Sequence, residues 1–179
     1  KLLIGRYLDA KVTFDISTLE ENETSKDISH HLSKIQNRLG DLNGKSLAIW
    51  GLSFKPNTND MREAPSLILI NKLIKAGAKL RAHDPAAKEV AQKIIGNTNI
   101  VFCDDEYEAL IGSDALVIIT EWEPYREPDF EKIREYLSIN LIFDGRNLFE
   151  PKVVAGADME YHAIGRPVVK NQISRLKNK

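Results

Sequence analysis

The sequence predicts an α/β protein with a doubly wound, mostly parallel sheet, flanking helices and an amphipathic helix in front of the sheet. Three observations support this class. Continuous apolar runs of strand length recur along the chain, as expected for strands covered on both faces. Segments with helical periodicity separate these runs, and glycine, proline and asparagine mark many of the junctions. Right-handed crossovers then bring the carboxyl ends of the strands to one edge, where ligands bind.

The elements follow one another in a regular order. Residues 25–39 carry apolar side chains on one helical face, and this helix ends at Gly40. The run SLAIWGL (46–52) predicts the first strand, while Pro65 begins the next helix and Gly77 ends it. The alternation then continues with predicted strands at 79–85, 99–103, 114–120 and 140–146 and predicted helices at 86–95, 105–111 and 128–137. This order is that of a Rossmann-like domain.

Composition limits the classes of function. The chain of 179 residues is 42% hydrophobic, enough for one good core, and its 25 basic and 26 acidic residues leave a formal charge of -1. That balance gives no general attraction to nucleic acid or to anionic lipid, and no apolar stretch is long enough to span a bilayer. The single cysteine, Cys103, excludes an internal disulfide. We predict a cytoplasmic protein that binds neither nucleic acid nor a membrane.

The loop after the first strand, GLSFKPNTNDMREAPSL (51–67), is the first candidate site. Lys55 and Arg62 lie just ahead of a helix N-terminus, where unpaired N-H groups and the helix dipole favour an anion such as a phosphate. The alternative is that both are solvated, or that they pair with Asp60 and Glu63. The loop lacks the G-x-G-x-x-G pattern, so we do not expect this domain to hold NAD in the usual Rossmann manner.

Two further strand ends carry candidate residues. Arg146, in FDGR (143–146), offers a planar fork to a phosphate, or else it pairs with Asp144 or a neighbouring carboxylate. Trp122 could form a pocket wall, although packing is the favoured interpretation for a lone tryptophan. Asp84 stands where a dinucleotide-binding domain holds a ribose hydroxyl, but a turn or capping role before proline is equally consistent with the sequence.

The remaining reactive side chains favour structural roles. Cys103 follows an apolar strand and is predicted to be a buried thiol rather than a nucleophile. The adjacent His30 and His31 point in different directions on their helix, and none of the four histidines has the spacing of a metal site. We therefore assign no metal ligand.

Several separate motifs carry a resemblance to a known family. They are GLSFKPNTNDMREAPSL (51–67), HDP (83–85), DALVIITEW (114–122), FDGRN (143–147) and YHAIGRP (161–167). In this order they resemble the carboxyl-terminal domain of the UDP-glucose/GDP-mannose dehydrogenase family, and the first of them favours the UDP-glucose branch.

The resemblance implies a two-domain enzyme. Its amino-terminal Rossmann domain binds NAD, a long central helix supports a homodimer or higher oligomer, and the domain resembled here holds the UDP part of UDP-glucose. The family oxidises the sugar C6 alcohol to the carboxylate in two hydride transfers to two NAD, through a thiohemiacetal and a thioester on a cysteine.

Residue by residue, Phe54 and Lys55 resemble the family's substrate-contacting pair and Arg146 its substrate-binding arginine. Arg62 resembles the arginine that reaches NAD held mainly by the other domain. The family's catalytic motif G-G-x-C-x-x-K-D does not occur in these residues, and Cys103 does not match its nucleophile. We therefore assign no catalytic residue, and we expect an inactive fragment whose partner is the amino-terminal dehydrogenase domain.

On this basis the chain divides into an unassigned lead (1–24), the end of the linker helix (25–43), a UDP-sugar-binding domain (44–167) and a basic tail (168–179). Two alternatives remain open. One is the same domain of a GDP-mannose or UDP-N-acetylmannosamine dehydrogenase, and the other is a freestanding, non-catalytic nucleotide-binding module.

Overall fold

The computed structural model describes residues 23–170; most of the predicted lead and of the basic tail lies outside the described residues. The helices are α1 (Glu23–Leu39), α2 (Pro65–Lys75), α3 (Lys88–Ile95), α4 (Glu106–Leu110), α5 (Phe130–Tyr136) and α6 (Pro151–Gly156). The strands are β1 (Ser46–Trp50), β2 (Lys79–His83), β3 (Ile100–Phe102), β4 (Ala115–Ile118), β5 (Leu141–Asp144) and β6 (Glu160–Ala163). A short 3-10 helix spans Glu123–Tyr125.

The six strands form one sheet in the order β3-β2-β1-β4-β5-β6, and every pair of neighbours is parallel. The predicted α/β, Rossmann-like class is therefore confirmed. The pairing among β1 to β6 is entirely parallel, where the sequence predicted a mostly parallel sheet. Because the strand order reverses between β1 and β4, their carboxyl ends border the crevice where ligands bind in such sheets.

Each predicted strand and helix is present, with shorter ends in most cases. Three elements were not predicted: α6, the edge strand β6 and the 3-10 helix. The strand escaped notice because Glu160 and His162 interrupt its apolar pattern, yet both are buried. The first helix also starts earlier than predicted, at Glu23. Within residues 23–170, no helix combines the length and the apolar character needed to cross a lipid bilayer.

The core lies on both faces of the sheet. Strand residues alternate between the faces, so Leu47 and Ile49 pack in one cluster while Trp50 packs in the other. Helices α1 and α2 cover the first face, and α4, α5 and α6 cover the second. This double cover explains why the central strands read as continuous apolar runs.

Helix α1 is attached to the sheet by two cations. The guanidinium of Arg38 makes a bidentate pair with Glu160, with distances of 2.7 and 2.9 Å, and Lys34 donates to the carbonyl oxygen of Ala163. His162 Nε2 also donates to Glu160, at 2.7 Å. Burial opposes ionisation, but the hydrogen bonds from His162 and Arg38 outweigh it and lower the pKa of Glu160 to about 2. The last two turns of α1 are thus fixed against β6.

Candidate functional site

The first candidate loop leaves β1 through Gly51, which has φ 91°. Its N-H donates to the carbonyl oxygen of His83 at 2.9 Å. A Cβ atom at this position would lie 2.5 Å from Thr120 Cβ, closer than real side chains approach. Only glycine therefore lets the loop turn this close to the end of β4.

Asp84 holds this loop in place. Its Oδ2 accepts hydrogen bonds from the backbone N-H groups of Leu52 at 2.7 Å and Ser53 at 3.0 Å. Its Oδ1 accepts from Ala86 at 2.9 Å and Ala87 at 2.7 Å, at the start of α3. The side chain is buried, and the turn and capping role is the one that the structure supports. A carboxylate occupied in this way does not fit a dinucleotide ribose, so these residues do not suit NAD bound in the Rossmann manner.

Trp122 completes the same cluster. Its indole Nε1 donates to Asp84 Oδ2 at 3.0 Å and to Ser53 Oγ at 3.1 Å, and the ring is buried. Thr120 Oγ1 donates to the Ser53 carbonyl oxygen at 2.7 Å. Trp122 thus packs in the core, as predicted, and it links the loop after β4 to the loop after β1.

The outer part of the loop is exposed. The N-H of Phe54 donates to the carbonyl oxygen of Asp60 at 2.9 Å, which closes the loop on itself. The Phe54 side chain is 48% exposed, unusual for a large apolar ring. Lys55 is exposed beside it and forms no ion pair with any residue in 27–170. The aromatic ring and the ammonium group therefore both face outward from this loop.

Arg62 pairs with Asp60, as the alternative interpretation of the sequence allowed. The guanidinium Nη2 lies 2.6 Å from Oδ2, and Nε lies 2.9 Å from Oδ1. Hydrogen bonds from Arg62 lower the pKa of Asp60 to about 2. The Arg62 side chain nevertheless remains 86% exposed, so the pair lies at the surface of the loop.

Asp144 shapes the loop after β5. Its carboxylate accepts from the N-H groups of Arg146 at 2.8 Å and Leu148 at 2.7 Å and from the Tyr161 hydroxyl at 2.7 Å. The side chain is fully buried. Because these groups occupy the carboxylate, it is not the partner of the Arg146 guanidinium.

The guanidinium of Arg146 instead forms a bidentate pair with Glu121 at the end of β4. Nη2 lies 2.7 Å from Glu121 Oε1, and Nε donates to Oε2. The hydrogen bond from Arg146 lowers the pKa of Glu121 despite partial burial. Glu121 follows Thr120 in the TEW motif. Its position at the end of a predicted strand is the one feature of the sequence that indicates a contact with Arg146. The bidentate geometry fixes the plane of the guanidinium.

Two cavities meet at Arg146. The larger, of about 360 Å³, is polar and has Glu121, Arg126 and Asn147 in its wall. The smaller, of about 140 Å³, lies on the α1 side and is mostly apolar, with His31 in its wall. Residues 53–63 line neither of these two cavities. The structure therefore brings Arg146 to the cavities, while Phe54, Lys55 and Arg62 lie on a separate loop at the same sheet edge.

His31 lies on the sheet side of α1, a position for which the sequence pattern predicts no functional role. Its side chain is buried, and neither ring nitrogen has a hydrogen-bond partner among the described residues. Burial, and then the charges of Lys34 and His30, lower the pKa of His31 to about 4, so the ring is neutral at pH 7. Gly145 lies next to the ring, since a Cβ there would be in van der Waals contact with His31 Nε2 at 3.5 Å. An unsatisfied buried polar group costs about 1 to 3 kcal/mol.

Cys103 is buried, and burial raises the pKa of its thiol, as expected for a structural cysteine. Among the side chains of residues 27–170, no group of three or more His, Cys, Asp and Glu could hold a metal ion.

Comparisons with known proteins agree with the motifs. Residues 48–151 match the UDP-glucose/GDP-mannose dehydrogenase family, UDP binding domain. UDP-glucose 6-dehydrogenase of Pseudomonas aeruginosa is 45% identical over 132 residues, which cover 72% of this chain and 29% of that protein.

Solved structures show the same domain. A UDP-glucose dehydrogenase from Pyrobaculum islandicum matches with a TM-score of 0.62 and 28% identity, over 69% of this chain and 27% of that one. The NDP-N-acetyl-D-galactosaminuronic acid dehydrogenase of Methanosarcina mazei Go1 matches with a TM-score of 0.64 and 25% identity, over 79% of this chain and 29% of that one. The chain spans less than a third of the length of each of these three proteins. It belongs to the UDP-glucose/GDP-mannose dehydrogenase family and contains the UDP binding domain of that family.

Proposed function

We propose that this chain is the nucleotide-sugar-binding domain of a UDP-glucose 6-dehydrogenase, which oxidises UDP-glucose to UDP-glucuronate with two NAD. The observation that carries the proposal is the Arg146 guanidinium, held at the carboxyl edge of the sheet beside a polar cavity of about 360 Å³. The Pseudomonas relative at 45% identity supports the choice of substrate.

In this proposal Arg146 binds the diphosphate. Glu121 engages the Nε and Nη2 atoms of the guanidinium, so Nη1 remains for a phosphate oxygen. An arginine already oriented by a carboxylate loses less freedom when the ligand arrives. Arg126, in the wall of the same cavity, adds a second positive charge.

Lys55 and Phe54 form the second contact with the substrate. The ammonium of Lys55, which forms no ion pair with a described side chain, acts as a point charge toward a phosphate, and the exposed ring of Phe54 packs against the base or the sugar. Their loop is anchored on Asp84 through the hydrogen bonds to Leu52 and Ser53, which limits its freedom before the ligand binds.

NAD in this proposal is held mainly by an amino-terminal dehydrogenase domain, which also supplies the catalytic cysteine. The exposed guanidinium of Arg62 is the one group of this chain that we assign to the cofactor. The described residues here bind and orient the substrate and take no part in hydride transfer. We further propose that the complete enzyme is a cytoplasmic homodimer or higher oligomer.

A second candidate keeps the domain and changes the sugar. The Methanosarcina structure, named for an N-acetyl-D-galactosaminuronic acid dehydrogenase, matches with a TM-score of 0.64, close to that of the UDP-glucose dehydrogenase structure. A ternary complex of GDP-mannose dehydrogenase also matches, with a TM-score of 0.51 and 25% identity. GDP-mannose and UDP-N-acetylmannosamine are the alternative substrates of this second candidate. A freestanding, non-catalytic nucleotide-binding module is the third candidate.

Calorimetric titration of this chain with UDP, UDP-glucose and GDP tests the proposal. We expect the two uridine ligands to bind, and Lys55→Ala and Arg146→Ala to weaken both by about tenfold or more, as for the loss of a charge-assisted hydrogen bond. Lys79→Ala is the matched control, since Lys79 is exposed at the amino end of β2, on the opposite edge of the sheet. Equal affinity for GDP would favour another branch, and no binding by any of the three would contradict the proposal.

A further inference from the structure

The smaller cavity beside Arg146 has an unusual wall. It lies between α1 and the carboxyl ends of β4 and β5, and its volume is about 140 Å³. Much of the wall is aliphatic, from Ile28, Leu69, Ile119 and Ile164 among others. His31 adds a neutral polar group to this wall, while Arg146 lines this cavity and the larger polar cavity alike.

The His31 imidazole is fixed in place without a partner. It is 5% exposed, and neither nitrogen makes a hydrogen bond to a described residue. One turn further along α1, Lys34 is bound to the carbonyl oxygen of Ala163, and two turns further, Arg38 is bound to Glu160. These two bonds hold the helix against β6 on the side where the ring is buried. A buried polar group that is held so firmly and left unsatisfied is expected to serve a ligand.

The chemistry of the ring limits the ligand group. A neutral imidazole offers one donor and one acceptor and carries no charge, so it adds no ionic attraction for a phosphate. A hydroxyl group both donates and accepts, and the face of a sugar ring packs well on aliphatic walls. A volume of about 140 Å³ suits the edge of one ring and is too small for a whole nucleotide sugar, and the larger cavity continues on the other side of Arg146.

We propose that His31 is a positioning residue for the bound nucleotide sugar, and that its imidazole hydrogen-bonds a ring hydroxyl next to the phosphate held by Arg146. This inference rests on the proposed function. The hydroxyl belongs to the hexose or to the ribose, and the ligands used in the test distinguish the two.

The test compares three variants of this chain by calorimetric titration with UDP-glucose and with UDP. His31→Leu removes the hydrogen bond and keeps an apolar wall, His31→Gln keeps a donor and an acceptor, and His30→Leu is the control on the exposed neighbouring residue. We expect His31→Leu to weaken UDP-glucose binding about three- to tenfold, the worth of one hydrogen bond. His31→Gln should recover most of this loss, and His30→Leu should change nothing.

A loss of affinity for UDP-glucose alone assigns the hydrogen bond to the hexose, and an equal loss for UDP assigns it to the ribose.

Two further measurements distinguish a positioning role of His31 from a structural role. The His31 ring nitrogen resonances should move when wild-type chain is saturated with UDP-glucose. Thermal unfolding of His31→Leu should occur at the same or a higher temperature, since the variant removes an unsatisfied buried group.

Unchanged affinity of His31→Leu, or ring nitrogen resonances that do not move at saturation, would overturn the inference and leave the proposed function intact. Failure of the wild-type chain to bind UDP-glucose at all would overturn the proposed function and this inference with it.

Discussion

The indole Nε1 of Trp122 lies 3.0 Å from Oδ2 of Asp84, and this contact joins the ends of β4 and β2 beneath the loop that follows β1. With the bonds from Leu52, Ser53, Ala86 and Ala87, the carboxylate accepts six hydrogen bonds from described residues. The loop that carries Phe54 and Lys55 is therefore anchored on one buried carboxylate.

Asp84→Asn should lower the free energy of unfolding by about 3 kcal/mol or more. The groups around Asp84 are all donors, so either orientation of the amide turns its NH₂ toward other N-H groups. Urea unfolding measures the change. Asp104→Asn is the control, because Asp104 is 90% exposed and pairs with Lys88 at the surface, where we expect a loss below about 1 kcal/mol. Equal stabilities of the two variants would contradict this role for Asp84.

Gly51→Ala should destabilise the fold more than Gly112→Ala. Both glycines have positive φ, 91° and 73°, so both substitutions carry backbone strain of about 1 kcal/mol. Only at Gly51 does the added Cβ meet another residue, Thr120, with 2.5 Å to its Cβ, whereas at Gly112 it meets nothing within 4 Å. We expect an extra loss of about 1 to 3 kcal/mol at Gly51, measured by thermal or urea unfolding. If Gly51→Ala lowers the free energy of unfolding no more than Gly112→Ala does, then the ends of β1 and β4 move apart easily to admit the methyl group.

His31 should make the stability of the chain sensitive to mild acid. Its pKa is about 4 in the folded state and near 6.5 when unfolded, so the unfolded state binds the proton more readily. The stability linked to the neutral ring is complete above pH 6.5 and is lost as the pH falls toward 4. Across this range the free energy of unfolding changes by up to about 3 kcal/mol. The charges nearest to His31 on α1, Lys34 and His30, are retained in His31→Leu.

The free energy of unfolding of wild-type chain, minus that of His31→Leu, should therefore rise by this amount between pH 4 and pH 7. Chemical unfolding at a series of pH values measures it. A difference that does not vary with pH would show that the ring protonates equally in both states.

Arg38→Met should loosen α1 from the sheet. The substitution leaves the buried carboxylate of Glu160 with His162 as its remaining partner, and we expect a loss of about 2 kcal/mol at pH 7. The pKa of Glu160 is lowered to about 2 in wild-type chain, so this stability is present above pH 4.5 and is lost as the pH falls toward 2. The difference between the two proteins should shrink over the same range.

Urea unfolding at pH 7 and at lower pH checks this prediction. Arg126→Met is the matched control, since Arg126 pairs with Glu123 at the surface and its loss should cost below about 1 kcal/mol. If Arg38→Met is no less stable than the control, then apolar packing alone holds α1 to the sheet.

Short-range patterns were enough for most of the fold. The apolar runs at 46–52 and 114–120 each identify a strand, because a strand covered on both faces needs apolar side chains at successive positions. The parallel arrangement followed from the helices between the strands and from the handedness of crossovers. Strand β6 escaped prediction because the burial of Glu160 depends on Arg38, which is 122 positions away in the chain.

The sequence by itself determined the fold class and the family of the chain, and it predicted the edge of the sheet where we expect a ligand. Only the tertiary structure decided what the charged side chains do. It gave Arg146 to Glu121 rather than to Asp144, bound Asp84 to a loop more than 30 positions earlier, and left His31 without a described partner beside a cavity. The physical reason is that apolar burial follows from the residues nearby in the chain, whereas a charge or an imidazole takes its role from whichever donors and acceptors folding brings to it.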